Sequence, residues 1–114
     1  MTNFLKATAV TSHHNLTAGI SYKIVAMDFE PEKTFFYVIL TDAPLTIERY
    51  DETFFQEQDF LMPSGWSFKV NPKNSTERAI MISELAKFDD WYNLYQKSDQ
   101  QVMSVLNRVN SEIL

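Results

Sequence analysis

Any chemistry in this chain would have to start from His13 and His14, its only histidines, from the acidic pairs Asp51-Glu52 and Asp89-Asp90, or from Tyr50 beside Asp51. Adjacent histidines point opposite ways in extended backbone and are solvated in a loop. A zinc or iron site needs three or more converging ligands, and no carboxylate or further His stands at a recognised spacing from this pair. A glycosidase-like acid and base need two carboxyls about 5 to 10 Å apart across a cleft, which neighbouring residues do not suggest. With no Cys, the chain has no thiolate nucleophile, disulfide or Cys-containing zinc site. Gly19 and Gly65 are its only glycines, too few for a phosphate-cradling loop or a dinucleotide fingerprint. Ser64-Gly65 reads as a turn and not as a nucleophile elbow. No catalytic residue, metal or cofactor is therefore expected. The enzymatic alternative is a site assembled from Tyr50, Asp51 and His13.

Surface charge is more informative. The chain carries 10 Lys and Arg against 15 Asp and Glu, a formal charge of −5. Residues 1–66 hold nine acids and four bases, whereas residues 67–114 hold six of each, so the whole excess lies in the first part. It is densest from Asp42 to Phe60, where Asp42, Glu48, Asp51, Glu52, Glu57 and Asp59 face a single base, Arg49. Negative potential repels phosphate backbones, which disfavours DNA or RNA, and favours a basic protein. The competing reading is an ordinary solvated face that keeps the protein soluble.

These groups must be positioned by a chain of 114 residues that is 45% hydrophobic, with nine Phe, five Tyr and two Trp, enough for one compact domain. Alternation predicts strands at Phe4–Thr11, with Leu5, Ala7 and Ala9 on one side, and at Tyr22–Phe29, where Tyr22, Ile24 and Ala26 alternate with Lys23, Val25 and Met27. A turn at Glu30–Lys33 separates these from Thr34–Thr41, which is apolar on both faces and must be covered on each side. It is expected to be a central strand. Further strands are expected at Leu45–Tyr50 and Trp66–Val70, with a single helical turn over Asp51–Phe55. Phe54, Phe55, Phe60 and Leu61 are expected to plug a rim. Ala79–Ile82 fits either a sixth strand or the entry to a helix.

The period then changes. Leu85, Phe88, Trp91, Tyr92 and Tyr95 predict a helix over Glu84–Gln96 with Ser83 as a cap, and Asp89 and Asp90 on its polar face. Val102, Val105, Leu106, Val109 and Ile113 form the stripe of a second helix, Asp99–Ile113, with Ser98 and Gln101 as a capping box. Residues 1–70 are thus mainly strands and residues 84–114 helical, without a linker between them. The expected fold is α+β in a single domain, 1–114: a curled five- or six-stranded antiparallel sheet, an SH3-like partial barrel, with two C-terminal helices packed on it.

Leu16-Thr17-Ala18-Gly19-Ile20-Ser21-Tyr22-Lys23-Ile24-Val25, then Phe36-Tyr37-Val38-Ile39, Asp42, Tyr50 and Phe54, resembles a pattern in small bacterial and phage proteins with SH3-like barrels. The resemblance spans about residues 8–60 and implies a five-stranded curled sheet with a non-catalytic binding role. The chain departs from the pattern in having Ala43-Pro44 where a glycine turn is usual, and in its long C-terminal addition.

No stretch is apolar for long enough to span a membrane, and Met1–Lys6 does not open a secretion signal, so a cytoplasmic location is expected. The leading expectation is a non-enzymatic protein-binding module, a small acidic immunity or antitoxin-type protein that captures a basic partner such as a toxin domain. Glu48, Asp51, Glu52, Glu57, Asp59 and Trp91 are the candidate partner-binding residues. Trp91 is included because Trp and Tyr are enriched at interface hot spots, against the alternative that it is core. The second expectation is an SH3-like accessory protein of phage or bacterial origin that self-assembles through its barrel edge.

Overall fold

The run Phe36-Tyr37-Val38-Ile39-Leu40 has no polar side, and the whole architecture answers that problem. The computed structural model describes residues 5–29, 36–57, 65–71 and 74–111. Among them lie six strands, β1 (Leu5–Thr8), β2 (Ser21–Phe29), β3 (Phe36–Leu40), β4 (Ile47–Asp51), β5 (Trp66–Asn71) and β6 (Asn74–Ile82). Three helices follow, α1 (Ser83–Ala86), α2 (Trp91–Gln96) and α3 (Gln100–Ser111), and a 3-10 turn occupies Glu52–Phe54. The fold is α+β: one antiparallel sheet in the order β4-β3-β2-β6-β5, with β1 also paired to β2, and the helices against one face. The expected turn at Glu30–Lys33, the rim residues Phe60 and Leu61, and Ile113 lie outside the described residues.

β3 lies between β2 and β4, but β2 is the hub. Its first half pairs with β1 and its second half with β6 on one side, while β3 runs along the other. A bulge at Val25 falls where the neighbour changes, between the pairs Ile24↔Ile39 and Ala26↔Val38. An extra residue reverses the alternation downstream. Val25 and Ala26 therefore both face the helices, while Tyr22, Ile24 and Met27 face the other way. The simple alternation that puts Ala26 with Tyr22 and Ile24 is corrected by this bulge.

Each sheet face has its own core. On the helix side Val25, Val38, Leu40, Ile47 and Met81 pack with Leu85, Trp91, Val102, Leu106 and Val109. On the other, Ile24, Met27, Tyr37 and Ile39 pack with Ala7, Ala9, Leu16, Tyr50 and Phe55. That second core is roofed by the chain itself. After the 3-10 turn, Val10 N–H donates to Phe54 O (2.9 Å) and Gln56 N–H to Thr8 O (2.9 Å), laying this segment beside the extension of β1. Gly19, at φ +88°, makes the return into β2 possible; its N–H donates to Ala9 O at 2.8 Å.

Three expected boundaries move for identifiable reasons. β4 starts at Ile47 and not Leu45, because Leu45 takes the left-handed conformation (φ +51°) that closes the hairpin loop between Thr41 and Thr46. Ala79–Ile82 belongs to β6. The helix expected over Glu84–Gln96 is two short helices, α1 and α2. Lys69 Nζ, reaching from β5, donates to the carbonyls of Ala86 and Phe88, acceptors a continuous helix would have needed. Asp90 then caps α2 by accepting from Asn93 N–H (3.4 Å), so Asp89 and Asp90 stand before a helix and not on its polar face.

α3 is capped by Asp99, whose Oδ2 accepts from Gln101 N–H and Val102 N–H, both at 3.1 Å. Ser98, expected in that role, instead ends α2. It lies at φ +59° while its N–H donates to Tyr95 O and Asp99 N–H to Leu94 O, the two bonds of a Schellman motif. At the far end Lys23 Nζ donates to Val109 O and Asn110 O, each at 2.9 Å. A sheet lysine thereby satisfies carbonyls left over by α3 and offsets its dipole.

Val102, Leu106 and Val109 are buried on α3, whereas Val105 lies at the margin of the stripe. Leu106→Ala is expected to cost about 2–5 kcal/mol, and Val105→Ala clearly less, in denaturant titrations. Ser98→Gly relieves a left-handed serine and should stabilise the protein by about 0.5–1 kcal/mol, read as a raised unfolding midpoint.

Candidate functional site

The rim where β4 meets the β1–β2 connection brings together His13, His14, Tyr22, Asp42, Glu48 and Tyr50. His13 and Leu16 exchange backbone bonds of 2.9 and 2.8 Å, closing a two-residue turn, His14-Asn15, with His14 at φ +42°. Asp42 N–H donates to Asn15 O (3.0 Å), which joins this turn to the β3–β4 loop. Thr17 and Tyr22 then both donate to the Asp42 carboxylate, at 2.8 Å each, and Tyr22 Oη accepts from Thr17 N–H at 2.7 Å. Thr17, Tyr22, Asp42, Tyr50 and Phe54 all lie around this rim.

Glu48 and Tyr50 alternate onto one face of β4, and Tyr50 Oη donates to Glu48 Oε2 at 2.5 Å. His14 Nε2 lies 3.7 Å from Glu48 Oε1, with the His14 side chain 68% exposed. His13 sets its ring edge-on to Phe54 (5.6 Å between centroids) and Tyr50 (6.4 Å), in an aromatic group that continues through Phe55 to Tyr37.

Asp51 does not join this group. It accepts from Thr53 N–H (3.0 Å) and Thr53 Oγ1 (2.9 Å) and so caps the 3-10 turn. Of the three residues of the enzymatic alternative, the structure brings His13 and Tyr50 together and spends Asp51 on local structure. Glu52 is half-buried in the turn, near enough to Tyr37 to disfavour its ionisation. Glu57 is exposed just beyond the segment paired with β1. Asp59 lies outside the described residues. Trp91 is 8% exposed and belongs to the helix-side core. The ring α2 shows to solvent is that of Tyr92, which packs edge-on against Trp91.

Arg49, the only base between Asp42 and Glu57, projects to the opposite face of β4 from Glu48 and pairs with Asp28 of β2 at 2.9 Å. The segment's cation is thus committed to an acid from outside it. The role of Asp42 as an anchor, and of Thr17 and Tyr22 as its donors, was not evident from charge alone. The Tyr opening β2 was the available signal, but a spacing of 20 residues hides the contact. Among the described residues no three His, Asp or Glu side chains converge to hold a metal ion. No family model, curated protein or solved structure matches this chain.

The hydroxyls of Tyr22 and Tyr50 donate to carboxylates. Burial, followed by the bond to Glu48 and its charge, raises the pKa of Tyr50. Burial also raises Tyr22, and pushes Tyr37 up to about 12 with a further push from Glu52. In the unfolded chain tyrosine ionises near pH 10. Below that both states hold their protons and the full contribution to stability is present. Above it the unfolded chain releases protons that the folded chain keeps, so stability falls as pH rises through about 12 for Tyr37. Thermal melts should be flat from neutrality to about pH 9 and decline steeply above about pH 10. Tyr37→Phe should make that alkaline decline shallower.

Proposed function

We propose that this chain is a non-enzymatic protein-binding module of the small acidic immunity or antitoxin type, which captures a basic partner on the rim formed by β4 and the turn after it. The observation that carries this reading is the placement of Arg49. Its pairing with Asp28 across the sheet keeps the only Lys or Arg between Asp42 and Glu57 away from the Glu48 side of β4. Glu48, Glu52 and Glu57 then supply negative charge from β4 into the segment that follows it. Hydrogen bonds from Tyr50 to Glu48 and from Thr53 to Asp51 hold carboxylates in fixed directions, which lowers the ordering cost of binding. Tying residues 54–56 to β1 gives the rim a rigid base, in keeping with the binding role that the SH3-like resemblance implies. Trp91 has no part in this surface, since its ring is core.

Electrostatic capture acts chiefly on association rate and weakens with salt. The partner is best sought as the product of the gene immediately upstream, with stopped-flow association measured against ionic strength. Glu57→Lys should slow association at low salt and flatten its salt dependence. Asp89→Lys, an equivalent reversal at an exposed position before α2, should change little. Equal slowing by both reversals would attribute the effect to net charge and remove the rim from the proposal.

A further inference from the structure

β5 ends the sheet on the side away from β4, with β6 as its neighbour. Ser83 N–H donates to Gly65 O at 2.7 Å, and this bond fixes the phase of the β5–β6 ladder. Ser67 and Lys69 turn their backbone groups toward Met81 and Ala79, so Phe68, opposite Ile80, turns its N–H and C=O outward. Among the described residues nothing pairs with those two groups, and the Phe68 side chain leaves the residue 61% exposed. Natural edge strands are commonly blunted by lysine. The lysine of β5, Lys69, does not serve that purpose, because its ammonium is drawn back over the helix-side face to the carbonyls of Ala86 and Phe88.

We propose that this edge is a self-association surface, on which the β5 of a second copy of the chain pairs antiparallel about a two-fold axis at Phe68. Such an interface is isologous, with the same residues contributed twice. The two Phe68 residues exchange both backbone bonds, and their rings become cross-strand neighbours on the face away from α1. The run Trp66-Ser67-Phe68-Lys69-Val70 is apolar and polar by turns in either direction, so its antiparallel copy matches it in kind at each position. Charge selects the register. Centred on Phe68, each Lys69 stands opposite Ser67 of the second copy; centred one residue later, Lys69 would face Lys69, a like-charge pair that destabilises a sheet.

Pairing of one short strand buries less than the about 1,200 Å² of a stable complex, so the dimer is weak. Two copies of formal charge −5 repel, so added salt strengthens it. This is the opposite of capture by the acidic rim, and the inference does not depend on that reading.

Sedimentation velocity of the purified chain across concentration, at low and high salt, tests it together with oxidative cross-linking. A monomer–dimer equilibrium that tightens with salt is expected, and Phe68→Lys should abolish it while leaving the dilute melting temperature unchanged. The chain has no Cys, so Phe68→Cys introduces a single thiol. In the proposed register the paired Cα atoms stand about 5.5 Å apart, within disulfide reach, and a covalent dimer should form much faster than with Thr53→Cys on the exposed 3-10 turn. A monomer up to millimolar concentration would overturn the proposal. So would a dimer unaffected by Phe68→Lys, or equal cross-linking at the two positions.

Discussion

The β2–β3 ribbon cannot be left wet on either side, and nearly every other feature follows from that. Tyr37, Val38, Ile39 and Leu40 are all buried, on alternating faces. Each such side chain loses about 1.5–3 kcal/mol if re-exposed, so two coverings are needed. α1, α2 and α3 supply one. The other is supplied by β1, the chain leading into β2, and the segment after β4 that returns beside Ala9. Two small cores therefore share a single sheet, and loss of either would strand apolar surface on the ribbon that both depend on.

Covering a sheet on both faces forces polar groups into the seams, and here tyrosines and lysines resolve that conflict. Tyr22 and Tyr50 bury their rings in the second core while their hydroxyls reach Asp42 and Glu48 at the rim. Tyr95 packs beside the helix-side core and accepts from Ile47 N–H at 2.9 Å, satisfying a donor on the outer edge of β4. Lys23 and Lys69 reach from the sheet to helix carbonyls. Several acids that charge counting assigns to a binding surface thus have structural duties as well. Asp42 and Asp51 shape turns, Glu48 receives a buried hydroxyl, and Glu52 and Glu57 remain the positions most available to a partner.

Much of the architecture was legible in the residues. Alternation placed β1 to β5 to within a few positions, and the stripe Val102, Leu106, Val109 located the docked face of α3. What misled was local pattern taken without its neighbours. Leu85 to Tyr95 has helical spacing, yet Lys69 and Asp90 offer the backbone other partners and the helix breaks. Ser98 and Gln101 match a capping box, but Asp99 makes the cap while Ser98 terminates the preceding helix. Trp91 was ambiguous between core and interface because burial depends on what lies above a helix, and spacing does not carry that.

By itself the sequence determined the α+β class, the two-sided burial demanded by residues 36–40, the concentration of acids between Asp42 and Asp59, and the absence of thiol chemistry. These follow from composition and from periods of two and 3.6 residues, which are properties of nearby positions. Tertiary structure alone decided that β2 is the hub, that a bulge at Val25 reverses its faces, that Arg49 turns to Asp28, and that β5 has β6 as its one strand neighbour among the described residues. Each of these depends on which distant segment lies alongside, and the free energy that selects a neighbour comes from packing and hydrogen bonds formed only after the chain has closed on itself.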